Sequence, residues 1–369
     1  MFIKKLKNVG GFSSLTRYIN MLAGNATYIA TTNSTAVAMA LDASPYLAVW
    51  NWFNGSTTGF NGKYANPATL PSYIVTASSW SRGKGYLAIA FGLSPYVSVY
   101  SFNDSTGFVS KYSDPTTSVG LSGSGVNLDI DTGLISIAST SSPYISAYPF
   151  TGANGWGTKY LDPSTLPTGY SYSVKNTGTV FFAAQSTTPR NIHAYAFNQS
   201  TGFGTKYAGP ATVLTYTGYF VDLHPSKEVV ATGGISGAAA YRWLDTTGFG
   251  TKYAQPSNDP YAYSFKFSST GNTAMLGSQS GSPSLNGYPF TVSSGFGTKY
   301  ANPATTTPSM SYYNSVAFTY GATAVAASLG ASPWVYAYAF TEGSGFGAKY
   351  ADPAVIYTGS TSTGGISFN

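Results

Sequence analysis

No cysteine occurs among the 369 residues, which excludes disulfides, thiolate metal sites and cysteine nucleophiles. Charge is nearly as scarce: 8% of residues are Asp, Glu, Lys or Arg, and Glu stands only at Glu228 and Glu342. His193 and His224 are the two histidines, so acid–base groups are few. No uninterrupted apolar run is long enough to span a bilayer, and membrane insertion is not expected. The opening MFIKKLKNVGGFSSLTRY is basic at Lys4, Lys5 and Lys7, but NVGGFSSLTRY interrupts the apolar stretch a signal peptide requires. Export by that route is therefore not expected.

Aromatic residues fill the space that charge leaves, at 16% of the chain, with abundant Gly, Ser, Thr and Tyr. That composition disfavours helix and suits short strands joined by tight turns. A Lys-Tyr pair recurs at Lys63, Lys111, Lys159, Lys206, Lys252, Lys299 and Lys349, every 46 to 50 residues, each time after Gly plus an aromatic. The period matches one four-stranded propeller blade per repeat. Each unit contains four strand-like runs; the fourth reads SYSVKN, GTVFFAAQ, NIHAYAF and GFGTKY. The expected fold is all-β: a seven-bladed β-propeller of four-stranded antiparallel blades over residues 23–369, preceded by a short N-terminal arm, residues 1–22. The terminal run from Ile366 to Asn369 is expected to join blade one and close the ring with strands from both termini, with ATYIAT at 26–31 as the competing candidate.

The third strand of each unit carries an aromatic, Trp50, Tyr100, Tyr148, Tyr195, Tyr241, Tyr288 or Tyr338, with a second aromatic two residues on. Residues i and i+2 share a strand face, so these pairs are expected to pack one blade against another. The repeated Lys sits on the outer edge strand, where charge blocks pairing with another chain, and a Pro three residues after each Tyr ends the strand. On this reading the edge lysines are scaffolding rather than a binding rim.

These blades resemble a known group. VDLHPSKEVVATGG at 221–234 is similar to the strand-turn-strand of WD-type blades, and SPYVSVYSFNDSTG resembles the third strand and turn of YVTN and lactonase-like propellers. The chain thus resembles the WD40-like and YVTN-like seven-bladed propellers over about residues 23–369, without the Gly-His and Trp-Asp dipeptides of true WD40 repeats. Its low-charge GFGTKYxxP phrase further resembles propellers of tailed-bacteriophage virion proteins.

Propellers host many functions, so function must come from sites. No nucleophile elbow or phosphate-cradling loop is present. His224 precedes Pro225 and reads as a turn residue, His193 is a one-off on the third strand, and Asp129 with Asp131 reads as a turn rather than a calcium loop. The expectation is accordingly no enzyme, no catalytic residue, no metal and no cofactor. Basic residues are too dispersed for a nucleic-acid site. The leading function is a non-enzymatic structural protein of a phage virion, tail-associated or surface-decorating, made in the host cytoplasm and docked on other virion proteins. Phe2, Ile3, Lys4, Lys5, Lys7 and Arg17 of the arm are the expected partner-binding residues. A lectin-like propeller that binds a host-surface glycan is the alternative, and a lactonase-like hydrolase a more distant one.

Overall fold

The computed structural model describes residues 35–53, 58–81, 83–120, 122–186, 192–212, 217–234, 237–257, 262–278, 284–305, 315–329, 332–354 and 363–369. The arm residues and ATYIAT lie outside them. Seven sheets, each of four antiparallel strands, make a seven-bladed β-propeller. Blade four shows the plan: Ser171–Asn176 pairs with Val180–Gln185, which pairs with Ile192–Asn198, which pairs with Gly202–Lys206. The second strand, VFFAAQ, is buried along its whole length because its two faces meet the two neighbouring blades. The outer strand GFGTK is largely exposed.

Blade one is built from both ends of the described chain. Thr363–Phe368 supplies its innermost strand, pairing Ile366 with Met39 and Phe368 with Val37. Ala36–Leu41, Leu47–Trp52 and Phe60–Lys63 supply the rest.

The core is divided into seven apolar layers, one at each blade boundary. Trp50 and Trp52 of blade one pack with Ala324, Ala326, Val335 and Ala337 of blade seven. Tyr100 and Phe102 of blade two meet Ala36, Ala38, Leu47 and Val49 of blade one. The pairs beginning at Tyr148, Tyr195, Tyr241, Tyr288 and Tyr338 likewise face the preceding blade. The first aromatic of every pair is at most 1% exposed. Such layers hold the ring by dispersion and desolvation, since no single blade buries its own faces.

The repeated phrase joins blades in a second way. Tyr64, Tyr112, Tyr160, Tyr207 and Tyr253 each donate a hydroxyl hydrogen bond of 2.5–2.7 Å to a carbonyl in the turn before the next blade's outer strand: Asp104, Gly152, Gln199, Asp245 and Val292. The ring of each Tyr rests on the Gly that opens that strand. A Cβ on Gly202 would stand 3.0 Å from Tyr160, and Gly202 has φ +84°, so both space and backbone select glycine there. The phrase is therefore half a clasp, completed by the glycine of the following copy.

Its Lys is tied locally. Lys159 and Lys349 bridge Asp162 and Asp352 at 2.6 and 2.5 Å, Lys111 bridges Asp114, and Lys63 donates to Asn66 at 2.5 Å. These exposed pairs add little stability, but they neutralise three of the seven rim cations within their own blade.

Blades three and six depart from the repeat. Their outer strands shrink to Gly155–Trp156 and Gly295–Phe296. The third strands of these blades carry Pro149 and Pro289, which have no N–H for the ladder.

Candidate functional site: the central channel

The seven innermost strands enclose a channel of about 800 Å³. In each, one residue pairs with the third residue of its blade's second strand: Ser79 with Ala88, Asn127 with Ser136, Lys175 with Phe182, Asp222 with Ala231, Lys266 with Met275, Ala317 with Ala326, and Ser367 with Ala38. These seven positions form one ring around the channel. Four are neutral, and three adjacent blades, four to six, place Lys, Asp and Lys there.

Part of this ring stitches neighbouring inner strands. Ser79 Oγ accepts the backbone N–H of Leu128 at 3.0 Å, Asn127 Oδ1 that of Asn176 at 3.2 Å, and Asp222 Oδ2 that of Phe267 at 2.9 Å. The remaining carboxylate oxygen of Asp222 meets Lys266 Nζ at 3.0 Å and Lys175 Nζ at 3.6 Å. Burial alone would raise the carboxyl pKa. The two ammonium groups and the Phe267 N–H outweigh it and hold Asp222 below the usual carboxylate range. Asp222 is thus an anion with little appetite for a proton, unsuited to act as a general base.

One end of the wall is aromatic. Tyr172, Tyr219 and Tyr263 stand within one residue of the start of the inner strands of blades four to six, with ring centroids 5.3 Å apart for the first pair and 5.2 Å for the second. The inner strands of blades one to three present Ser367, Thr76, Ser78 and Ser124, whose hydroxyls bond to one another or to neighbouring strands. Charge, hydroxyls and aromatic surface therefore converge on one concave space of the size that holds a small molecule.

The residues weighed from sequence sit elsewhere or are engaged in structure. His224 Nε2 donates to the Gly271 carbonyl at 3.1 Å, and its Nδ1 accepts the Ser226 N–H at 3.1 Å, which fixes the ring in its turn. Burial lowers its pKa. Asp129 Oδ1 accepts the N–H groups of Asp131 and Thr132, and Asp131 pairs with Lys84 at 3.3 Å, a local turn at one channel mouth. His193 is buried on the third strand opposite Ala183. Among the described residues no three His, Cys, Asp or Glu group together as a metal site.

The charged ring residues were not singled out from sequence. A signal was present: Ser79, Asn127, Lys175 and Asp222 follow Lys63, Lys111, Lys159 and Lys206 at one constant offset. Aligning the first strands on the repeated Lys would have exposed Lys175 and Asp222, though not Lys266, which follows Lys252 at a shorter offset.

No protein-family model matches the chain, and no curated protein matches it in sequence. Solved structures do. A functionally unknown protein from Desulfotomaculum acetoxidans superposes with a TM-score of 0.65 at 10% identity, over 91% of this chain and 99% of that one. The periplasmic gluconolactonase of Pseudomonas aeruginosa gives a TM-score of 0.65 at 12% identity, over 90% of this chain and 98% of that one. At these identities the likeness establishes the propeller fold, and none of it ties the chain to a phage particle.

The expectation that the chain is not an enzyme is corrected by this neighbour, because a gluconolactonase is built on the same architecture. The error was physical. Counting histidines, thiols and nucleophile motifs tests for covalent and metal chemistry, whereas a channel can also act by electrostatic stabilisation from lysine and hydroxyl groups.

Proposed function

We propose that the central channel is the ligand site of this propeller and that its ligand is a sugar-lactone type of molecule, with hydrolysis the reaction it promotes. The observation that carries the reading is the convergence of Lys175, Asp222 and Lys266 on the wall of a channel that blades one to three line with serine and threonine. The gluconolactonase among the structural neighbours supports it.

In lactone hydrolysis a water oxygen bonds to the ring carbonyl carbon, the ring C–O bond breaks, and the proton lost by water ends on the released hydroxyl. Negative charge gathers on the carbonyl oxygen on the way. An ammonium group such as that of Lys266, fixed beforehand by Asp222, stabilises that charge without reorganising. Asp222 places the lysine and leaves the water's proton to solvent or to the leaving oxygen. The test is the hydrolysis of δ-gluconolactone and its 6-phosphate above the spontaneous rate. Acceleration that Lys266→Met removes supports the reading; no acceleration with either lactone overturns it.

A second reading is a propeller borne on a bacteriophage particle and docked through residues 1–22. Its support is the resemblance carried by the GFGTKYxxP phrase, together with Lys–Asp pairs on the outer edges of three blades, which leave attachment to other parts of the chain. Its test is removal of residues 2–17, which should leave a folded disc absent from particles. Normal incorporation of the truncated protein refutes the arm as anchor.

A further inference from the structure

We infer that Lys175 and Lys266 form an anion-binding subsite on one wall of the channel, which takes the carboxylate or phosphate group of a small polyhydroxylated molecule. The inference rests on the reading of the channel as a ligand site and adds the charge of the ligand and the wall it faces.

Asp222 is held by more cations than its burial requires. Asp222 serves the fold as its neutral counterparts do, by accepting an inter-blade N–H, and its burial calls for one compensating cation. Two are supplied. Both ammonium groups converge on the same carboxylate oxygen, at 3.0 and 3.6 Å, so Lys175, Asp222 and Lys266 together carry a formal charge of +1 and the two lysines repel each other. A purely structural stitch needs no such arrangement: Ser79 and Asn127 make the same bond in blades two and three without charge.

The surplus faces the channel. The side chain of Asp222 is 7% exposed, against 25% for Lys175 and 33% for Lys266. Among the described residues, the other charges lining the channel are Asp129, Asp131 and Lys227. Asp131 is matched by Lys84, while Asp129 stands in the same turn and Lys227, which donates to the Thr177 carbonyl, balances it in sign. These groups belong to the turns at one mouth and not to the ring of inner-strand positions.

The remaining ring positions are Ala317, Ser367, Ser79 and Asn127, so the charge of the ring is confined to blades four to six. A ligand with an anionic group at one end and hydroxyls at the other matches this division; a neutral sugar leaves the surplus charge unanswered, and a cation is repelled. A confined cation pair also attracts its ligand in a salt-dependent way.

The test is calorimetric titration of the full chain with gluconate, glucose 6-phosphate, inorganic phosphate and glucose. Gluconate or glucose 6-phosphate is expected to bind at least about tenfold more tightly than glucose, weakening as salt is raised. The two anions separate a carboxylate from a phosphate preference. Lys175→Met and Lys266→Met should each weaken anion binding about tenfold while leaving the folded spectrum intact.

Asp222→Asn discriminates further. Asn127 shows that an amide oxygen makes the same inter-blade bond, so the variant keeps its stitch while removing the negative charge. Anion binding should then tighten several-fold, which a merely structural triad would not produce. Equal affinity for glucose and the anions, or anion binding unchanged in both lysine variants, overturns the subsite. Anion binding without lactone hydrolysis leaves the subsite standing and removes the catalytic reading. Hydrolysis of a neutral lactone with no anion binding does the reverse.

Discussion

Asn369 grips the backbone of Thr35 across the closure of the ring: its Oδ1 accepts the N–H groups of Thr35 and Ala36 at 2.8 and 2.9 Å, and its Nδ2 donates to Thr35 Oγ1 at 2.8 Å. The same amide nitrogen donates to Asp104 of blade two at 3.0 Å. One side chain thus joins the innermost and second strands of blade one to the neighbouring blade. Deleting residues 364–369 removes this clasp and most of an inner strand, and should lower the melting temperature by several degrees or more. Asn369→Ala should cost about 1 to 2 kcal/mol, because two backbone donors lose their acceptor. An unchanged melting temperature in the deletion variant contradicts the closure account.

The Tyr–Gly clasp predicts a graded effect. Tyr160→Phe leaves the Gln199 carbonyl without its hydroxyl donor and should destabilise by about 1 kcal/mol, since that carbonyl remains near solvent. Gly202→Ala adds a methyl group 3.0 Å from Tyr160 at φ +84° and should cost more, roughly 1 to 3 kcal/mol. Thermal unfolding of both variants, with Gly204→Ala as an outer-strand control, reads the order. Equal effects at Gly202 and Gly204 would show that the clasp carries no special load.

Acid should act through Asp222. Its folded pKa lies below the ordinary value of 3.8, so its contribution to stability is present above that value and is lost as pH falls below it and through the folded pKa. Chemical unfolding from pH 6 down to pH 3 should therefore show a steeper loss for the wild type than for Asp222→Asn. Parallel curves would mean that the two lysines do not hold the carboxylate as described.

The edge lysines should matter little to folding. Lys159→Ala removes an exposed pair with Asp162 and should change stability by less than about 1 kcal/mol, an effect that salt further reduces. A larger loss would assign the repeated Lys a structural weight beyond edge protection.

Much of this fold is legible in the sequence because the repeat carries it. The Lys-Tyr period sets the blade count, and the paired aromatics of the third strand identify the faces that meet, as the layers around Trp50 and Tyr148 show. The clasp was less legible. Strand periodicity puts Tyr207, four residues after Phe203, on the same face, but a bulge between them turns Tyr207 toward blade five, where its hydroxyl meets the Asp245 carbonyl, while Phe203 faces blade three. The channel was least legible. Lys175, Asp222 and Lys266 lie on the innermost strands, which vary most from blade to blade because they pack against a cavity rather than a fixed neighbour. The connections before Lys266 and Ala317 also change length, so their common register emerges only from strand pairing.

The most direct measurement is the structure of the full chain with gluconate bound. The account predicts the ligand inside the central channel, with its carboxylate against Lys175 and Lys266 and its hydroxyls toward the serine-lined wall. Gluconate seated on an outer face or at the rim, with the channel cluster untouched, would contradict it.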